Sequence, residues 1–266
     1  MTGKHIVCFS GGEGSALAAI EVYRRFGNDN LVLLNHNICG RVEDADIKRF
    51  KAEVAAYCGV PITYANHPAW DTKDQFDVVV EAGAFKVGNG TALCTSRLKT
   101  EPFYRWLKEN KPDKTCTIYY GFGVPEKSRI QRRYSIMAAM GYRTGFPCLW
   151  ERTIQSTREI GIQPPQGYSV FKHANCIGCL KAGMQHWYIV YCTRPDIWQK
   201  ALWAEDEIGY SIINGRFLSE LEPKFERMKA LGIEATEKVP AATFWARAKK
   251  VLGTEQESNI PCECSD

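Results

Sequence analysis

A chain of 266 residues, 45% hydrophobic and 24% charged, is long enough to bury one sizeable core with additions. It has no apolar run of about 18 residues, and Met1 to His5 leads into a strand, so the expectation is a soluble, cytoplasmic protein with no membrane partner. The net charge of +4, from 34 basic and 30 acidic residues, is too mild to argue nucleic-acid binding by itself, yet it suits an anionic substrate.

In chain order, Ile6 to Phe9 is a short apolar strand, followed by a glycine-rich turn and a helix from Ala16 that stops near Gly27. Leu31 to Asn35 reads as a second strand ending in polar residues, and Asn35 and His36 would then lie beside the glycine turn. A helix over 43–58 carries Ile47, Phe50, Val54 and Ala55 on one face, and Pro61 to Ala65 is a third strand. Residues 74–82 read as a helix and 83–90 as a glycine-rich loop. Cys116 to Gly121 is the next strand, 126–140 a helix bearing Lys127, Arg129, Arg132 and Arg133, and Arg143 to Leu149 one more strand. Beyond Cys176 the pattern is helical over 187–192, 195–208, 222–231 and 241–252, with Pro223 suited to the first position of the third helix. Trp187, Tyr188, Trp198, Trp203 and Tyr210 read as core aromatics. The expected architecture is α/β: a parallel twisted sheet with helices on both faces, Rossmann-like, over residues 1–150, then a mostly helical region over 151–266.

The turn Ser10-Gly11-Gly12-Glu13-Gly14-Ser15 between strand and helix has the composition of a phosphate cradle. Its glycines let backbone approach a ligand, and the helix start presents N–H groups and the positive end of a dipole. Neither a Gly-Lys-Ser/Thr P-loop nor a Gly-x-Gly-x-x-Gly dinucleotide turn is present; what remains is Ser-Gly-Gly-x-x-Ser. That pattern resembles the pyrophosphate loop (PP-loop) of the adenine nucleotide alpha-hydrolase superfamily, which includes ATP pyrophosphatases and phosphoadenosine phosphosulfate (PAPS) reductases. Many members have Asp immediately before the second Ser, where this chain has Gly14.

Two further stretches carry the resemblance to the PAPS reductase family. Cys94-Thr95-Ser96-Arg97-Leu98-Lys99-Thr100-Glu101-Pro102 is similar to the Cys-Cys-x-x-Arg-Lys-x-x-Pro segment of adenylylsulfate reductases, with Cys94, Lys99 and Pro102 in register. Thr95 stands where those enzymes have a second cysteine, and Leu98 where they have arginine. His173 to Gly183, with Cys176-Ile177-Gly178-Cys179, resembles the Cys-x-x-Cys segment of iron–sulfur members. Gly121 to Arg129 is similar to a stretch in which an arginine meets phosphate, which implies that role for Arg129; a solvated basic face is the other reading for Arg132 and Arg133. The resemblance covers roughly residues 4 to 215.

Eleven cysteines without a secretory signal argue against a disulfide framework and for a metal or redox site where they cluster. Scattered Cys8, Cys39, Cys58, Cys116, Cys148 and Cys192 read as small core residues. Cys176 and Cys179 have metal-ligand spacing, and Cys94 begins a helix, where the N-terminus lowers a thiol's pKa. Three thiolates need a fourth partner, and Cys262 or Cys264 at the chain end offers it. Four sulfur ligands suit zinc or a 4Fe-4S cluster, and spacing does not choose between them. The resemblance favours the cluster. It also implies Cys264, in Glu263-Cys264, as a sulfur-attacking nucleophile, and Lys99 as its companion among the catalytic residues.

These parts predict nucleotide binding through Ser10 to Ser15, Asn35 and Arg129, with ATP or adenylylsulfate/PAPS as the nucleotide and Mg2+ as its companion. In the first functional reading ATP activates an oxygen of a substrate and sulfur replaces it; in the second, adenylylsulfate or PAPS is reduced with release of sulfite. A third is a non-catalytic nucleotide-binding subunit with structural zinc. The expected partners are a sulfur donor or a thiol reductant protein. The acceptor of sulfur stays open among a nucleic acid, a tRNA base and a small metabolite.

Overall fold

The computed structural model describes residues 4–86, 90–174 and 176–253, which fall into two compact units. The first comprises residues 4–37, 44–71 and 98–166; the second comprises 38–43, 72–86, 90–97, 167–174 and 176–253.

The first unit is the expected α/β sheet. Its strands are β1 (His5–Cys8), β2 (Leu31–Asn35), β3 (Ile62–Tyr64), β4 (Thr117–Tyr119) and β5 (Arg143–Gly145), all parallel in the order β3-β2-β1-β4-β5. Alternation along the strands splits the core in two. Val7, Phe9, Leu31, Leu33 and Tyr119 face one way, toward α1 (Glu13–Phe26) and α2 (Ala45–Cys58). Ile6, Leu34, Ile118 and Tyr120 face the other, toward α5 (Glu101–Asn110) and α6 (Lys127–Ala139). The chain runs β1 to β2 to β3 in one direction and then returns to lay β4 on the other side of β1. The strand order therefore reverses between β1 and β4, and ligands of open parallel sheets lie outside the carboxyl ends of the strands at such a point.

The second unit is helical, with α3 (Gln75–Glu81), α4 (Leu93–Thr95), α7 (Met184–Thr193), α8 (Pro195–Ile208), α9 (Leu218–Ala230) and α10 (Ala241–Leu252). Trp187, Tyr188, Trp198 and Phe225 are its largest fully buried side chains together with Phe76 of α3, and Trp187, Trp198 and Phe225 meet edge-on or tilted. Trp203 and Tyr210, expected in the core, are exposed instead: Trp203 donates to Glu207, and the Tyr210 hydroxyl accepts from the Phe85 amide. The Asp74 carboxylate, wholly buried, caps α3 and takes Arg41 and Lys200 at 2.7 Å each, while Lys200 also reaches Asp77.

Several element limits differ from the sequence reading for identifiable reasons. Helix α2 starts at Ala45 because Asp44 caps it, accepting the Asp46 amide. The strand expected to run from Arg143 to Leu149 ends at Gly145; Pro147, which has no N–H to give a ladder, opens a 3-10 turn. Helix α9 begins at Leu218, so Pro223 lies inside it. The buried stripe Leu218, Leu221, Phe225 and Met228 and the bond from the Leu218 amide to Glu205 outweigh one missing backbone donor.

Candidate functional site

The site is built on the turn that joins β1 to α1. Gly11 has a φ of +86°, which favours glycine, and a Cβ there would stand 2.9 Å from Ile47 Cγ2 and from Lys51 Cδ. Gly12 is the N-cap of the fourteen-residue α1 and provides no side-chain cap, so the start of a long helix opens at the reversal point, with the Glu13 carboxylate in its first turn. The Ser15 hydroxyl lies inside the turn, donating to the Gly12 carbonyl at 2.8 Å and accepting from the Ser10 amide and hydroxyl at 3.2 Å each. The two serines of the pattern thus hold the turn's shape.

A glycine at position 14 has a steric cause. A Cβ at Gly14 would lie 2.8 Å from the Gly121 carbonyl oxygen, and one at Gly121 only 2.4 Å from the Gly14 carbonyl oxygen. The start of α1 and the chain leaving β4 pass backbone against backbone, and only a pair of glycines permits it. Around this contact the turn is braced from the segment after β5. The Cys148 thiol donates to the Gly14 carbonyl at 3.3 Å, and Ser156 donates to the Glu13 carboxylate at 2.7 Å. Glu21, buried on α1, accepts the Thr153 amide and hydroxyl at 2.7 and 2.8 Å.

Asn35 is placed beside the turn, at the carboxyl end of β2, but its side chain is engaged in structure. Its amide donates to the Phe9 carbonyl and its carbonyl accepts from Lys51 Nζ at 3.3 Å. Lys51 went unnoticed in the sequence. It is wholly buried, its stem packs on Gly11, and its ammonium sits beneath the turn, over the Tyr64 ring. The only sequence signal was a lysine among the apolar positions of α2 at Ile47, Phe50 and Val54. His36 follows Asn35, with Nδ1 2.5 Å from the Ala65 carbonyl oxygen. A carbonyl can only accept, so Nδ1 carries the proton and Nε2 is left as an acceptor. Burial, reinforced by the charges of Lys99 and Lys51, pushes the His36 pKa down to about 4, so the ring is neutral at neutral pH. Lys99, in a π-helical turn over Ser96–Thr100, therefore belongs to the same basic neighbourhood as His36 and Lys51.

Arg129 lies on the exposed first turn of α6, paired with Glu126 and stacked 4.4 Å from the centre of the Phe122 ring. Arg133 stacks on Tyr120, and Arg132 is exposed.

In the second unit the Cys176 to Cys179 turn is held from two directions. Gln75 Nε2 donates to the carbonyls of Ile177 and Gly178 at 2.8 and 3.1 Å, and the amides of Gly178 and Cys179 donate to His186 Nε2 at 3.2 and 3.3 Å. His186 Nδ1 in turn meets Glu237 at 3.1 Å, which fixes its tautomer. Gly178, at φ +70°, packs where a Cβ would strike Ile197 at 2.6 Å. Cys94 lies in α4, and Cys94, Cys176 and Cys179 are all half-buried and in no disulfide. Among the described residues no three His, Cys, Asp or Glu side chains are grouped to hold a metal ion. Cys262 and Cys264 lie outside the described residues. The described thiols thus do not by themselves fit a closed four-sulfur site. Of the scattered cysteines, Cys58 and Cys116 are buried and Cys8, Cys39, Cys148 and Cys192 half-buried; burial drives the Cys8 and Cys58 thiols up to about 12, far from thiolate reactivity.

The fold and this site define an open parallel α/β protein with a glycine turn at the sheet's reversal point. No protein-family model, curated protein or solved structure matches the chain. Among the described residues no helix is long and apolar enough to cross a membrane.

Proposed function

We propose that this chain binds an adenine nucleotide by its phosphates at Ser10 to Ser15 and uses it in sulfur chemistry. The observation that carries the first half is the position of the turn: a glycine-built helix start without a side-chain cap, at the carboxyl end of β1, where strand order reverses. Buried Lys51 below it, with Lys99 and neutral His36 nearby, adds positive potential and a hydrogen-bond acceptor. With ATP, attack by a substrate oxygen on the α-phosphorus would release pyrophosphate, and the dipole and lysines would stabilise the charge that develops there.

The sulfur half rests on the cysteine spacing and the family resemblance, with a reducing cytoplasm as the setting. Cys94, Cys176, Cys179 and either Cys262 or Cys264 would be the ligands of a 4Fe-4S cluster or zinc, and gathering them would require movement of the described thiols or a contribution from the tail. A bound cluster would supply sulfur coordination or electron transfer. His186 and Gln75 hold the Cys176 to Cys179 turn through hydrogen bonds to its backbone. Anaerobic purification with iron, sulfide and zinc analysis, followed by mass spectrometry of products, tests the proposal. AMP with pyrophosphate from ATP, together with iron lost in Cys176→Ser, supports it; AMP with sulfite from adenylylsulfate selects the reductase reading. Colourless protein with one zinc and no turnover leaves only a nucleotide-binding subunit.

A further inference from the structure

At the reversal point of the sheet a second set of donors gathers, on the face that packs against α5 and α6. Val7 and Tyr119 are aligned partners, so the next residues, Cys8 and Tyr120, sit side by side where β1 and β4 end, within the core on that face. The Tyr120 hydroxyl is buried without a hydrogen-bond partner among the described residues, and the Cys8 thiol beside it is a weak one. Phe122 and Phe146 stack with the Tyr120 ring and hold it in place. The Arg133 guanidinium of α6 lies over the same ring, 5.4 Å from its centre, and one of its N–H groups reaches the Tyr104 hydroxyl of α5 at 3.5 Å.

Arg133 differs from Arg129, whose charge meets Glu126: no carboxylate pairs with Arg133 among the described residues. Stacking engages the face of a guanidinium and leaves the N–H groups, which lie in its plane, to donate elsewhere. Burial pushes the Cys8 and Tyr120 pKa values up, so thiol and hydroxyl keep their hydrogens and can donate as well. Arg133, Tyr104 and Cys8 are half-buried, so the cluster is not sealed from solvent. A half-buried cation among donors calls for an anion and repels a metal ion. The donors come from the sheet, from α5 and from α6 rather than from one plane, which suits a tetrahedral group better than a flat carboxylate.

We propose that Arg133, Tyr104 and Tyr120 bind a tetrahedral oxyanion, sulfate, sulfite or phosphate, either free or as the end group of a larger substrate. The site stands without the nucleotide reading of the glycine turn. That turn would take the same ions, and Gly12→Val fills it and isolates the second site. Equilibrium dialysis of the full chain, parent and Gly12→Val, against radiolabelled sulfate, sulfite and phosphate in chloride at constant ionic strength tests it. Gly12→Val should hold at least one of these ions, and in either background Arg133→Gln should weaken that binding at least about tenfold and Tyr120→Phe about threefold or more. Tyr120→Phe removes a hydroxyl that has no partner, so without the ion its urea midpoint should equal the parent's or rise. Adenylylsulfate distinguishes the two sources in Gly12→Val: displacement of bound sulfate selects a carried group, and no displacement a free ion. No ion held by Gly12→Val, or binding untouched by Arg133→Gln and Tyr120→Phe in chains with the parent's circular dichroism spectrum, would overturn the proposal.

Discussion

The backbone contact between Gly14 and Gly121 yields the most quantitative prediction about the site. A methyl group on Gly14 would sit 2.8 Å from the Gly121 carbonyl oxygen; one on Gly121 would meet the Gly14 carbonyl oxygen at 2.4 Å and the Ser15 nitrogen at 2.6 Å. Both obstacles are backbone, so neither can swing aside as a flexible side chain would. Overpacking of this kind costs about 1–3 kcal/mol. For Gly14→Ala the second helical position of α1 returns up to about 1 kcal/mol of helix propensity, leaving a net loss of about 1–2 kcal/mol. Gly121 lies outside any helix, and its contacts are shorter, so Gly121→Ala should lose about 3 kcal/mol. Urea unfolding followed by circular dichroism measures both, with Gly167→Ala as a control, because nothing stands within 4 Å of a Cβ there. The control should stay within about 0.5 kcal/mol of the parent, and the slopes should be unchanged. Gly121→Ala with the parent midpoint, or Gly14→Ala costing more than Gly121→Ala, would refute the close approach.

Three other outcomes are expected. Lys51→Met, which keeps the stem against Gly11, should change stability by less than about 1 kcal/mol yet weaken nucleotide binding by about tenfold, the smaller end for a charge-assisted interaction; calorimetry of the folded variant checks it. His36, with its folded pKa lowered to about 4 from 6.5, favours folding fully above pH 6.5, and that contribution is lost as the pH falls toward 4. It amounts to at most about 3 kcal/mol, less where water reaches the half-buried ring, and His36→Gln should flatten the stability profile across that window. Asp74→Asn keeps the cap of α3 but leaves Arg41 and Lys200 against a neutral amide, and should cost about 3 kcal/mol in a thermal melt.

Much of the fold was legible because its elements are strongly periodic. The apolar strands around Val7, Leu33 and Ile118 and the helices after them follow patterns of two and of 3.6 residues, and those fix a parallel sheet. The glycine turn was equally visible, since turns of this kind are written in residue identity. What stayed hidden depends on contacts between distant segments. Nothing local to Gly14 tells of Gly121, more than a hundred residues away, so its glycine read as a departure from a pattern rather than as a packing need. Lys51 looked like an ordinary charge on α2, and only the burial of its face shows the ammonium held under the turn. His186 and Glu237, which order the Cys176 to Cys179 turn, come from different elements and share no sequence signal.

The central claim, that the Ser10 to Ser15 turn receives a nucleotide's phosphates, is tested most directly by calorimetric titration of the parent and Gly12→Val with ATP and adenylylsulfate. Gly12 has φ −88° and ψ 157°, an extended conformation open to any residue, so the substitution fills the turn without straining the backbone. One site for at least one of the nucleotides in the parent, and none in a variant with an unchanged circular dichroism spectrum, is the predicted result. No binding of any adenine nucleotide by the parent, or equal affinity in Gly12→Val, would contradict it.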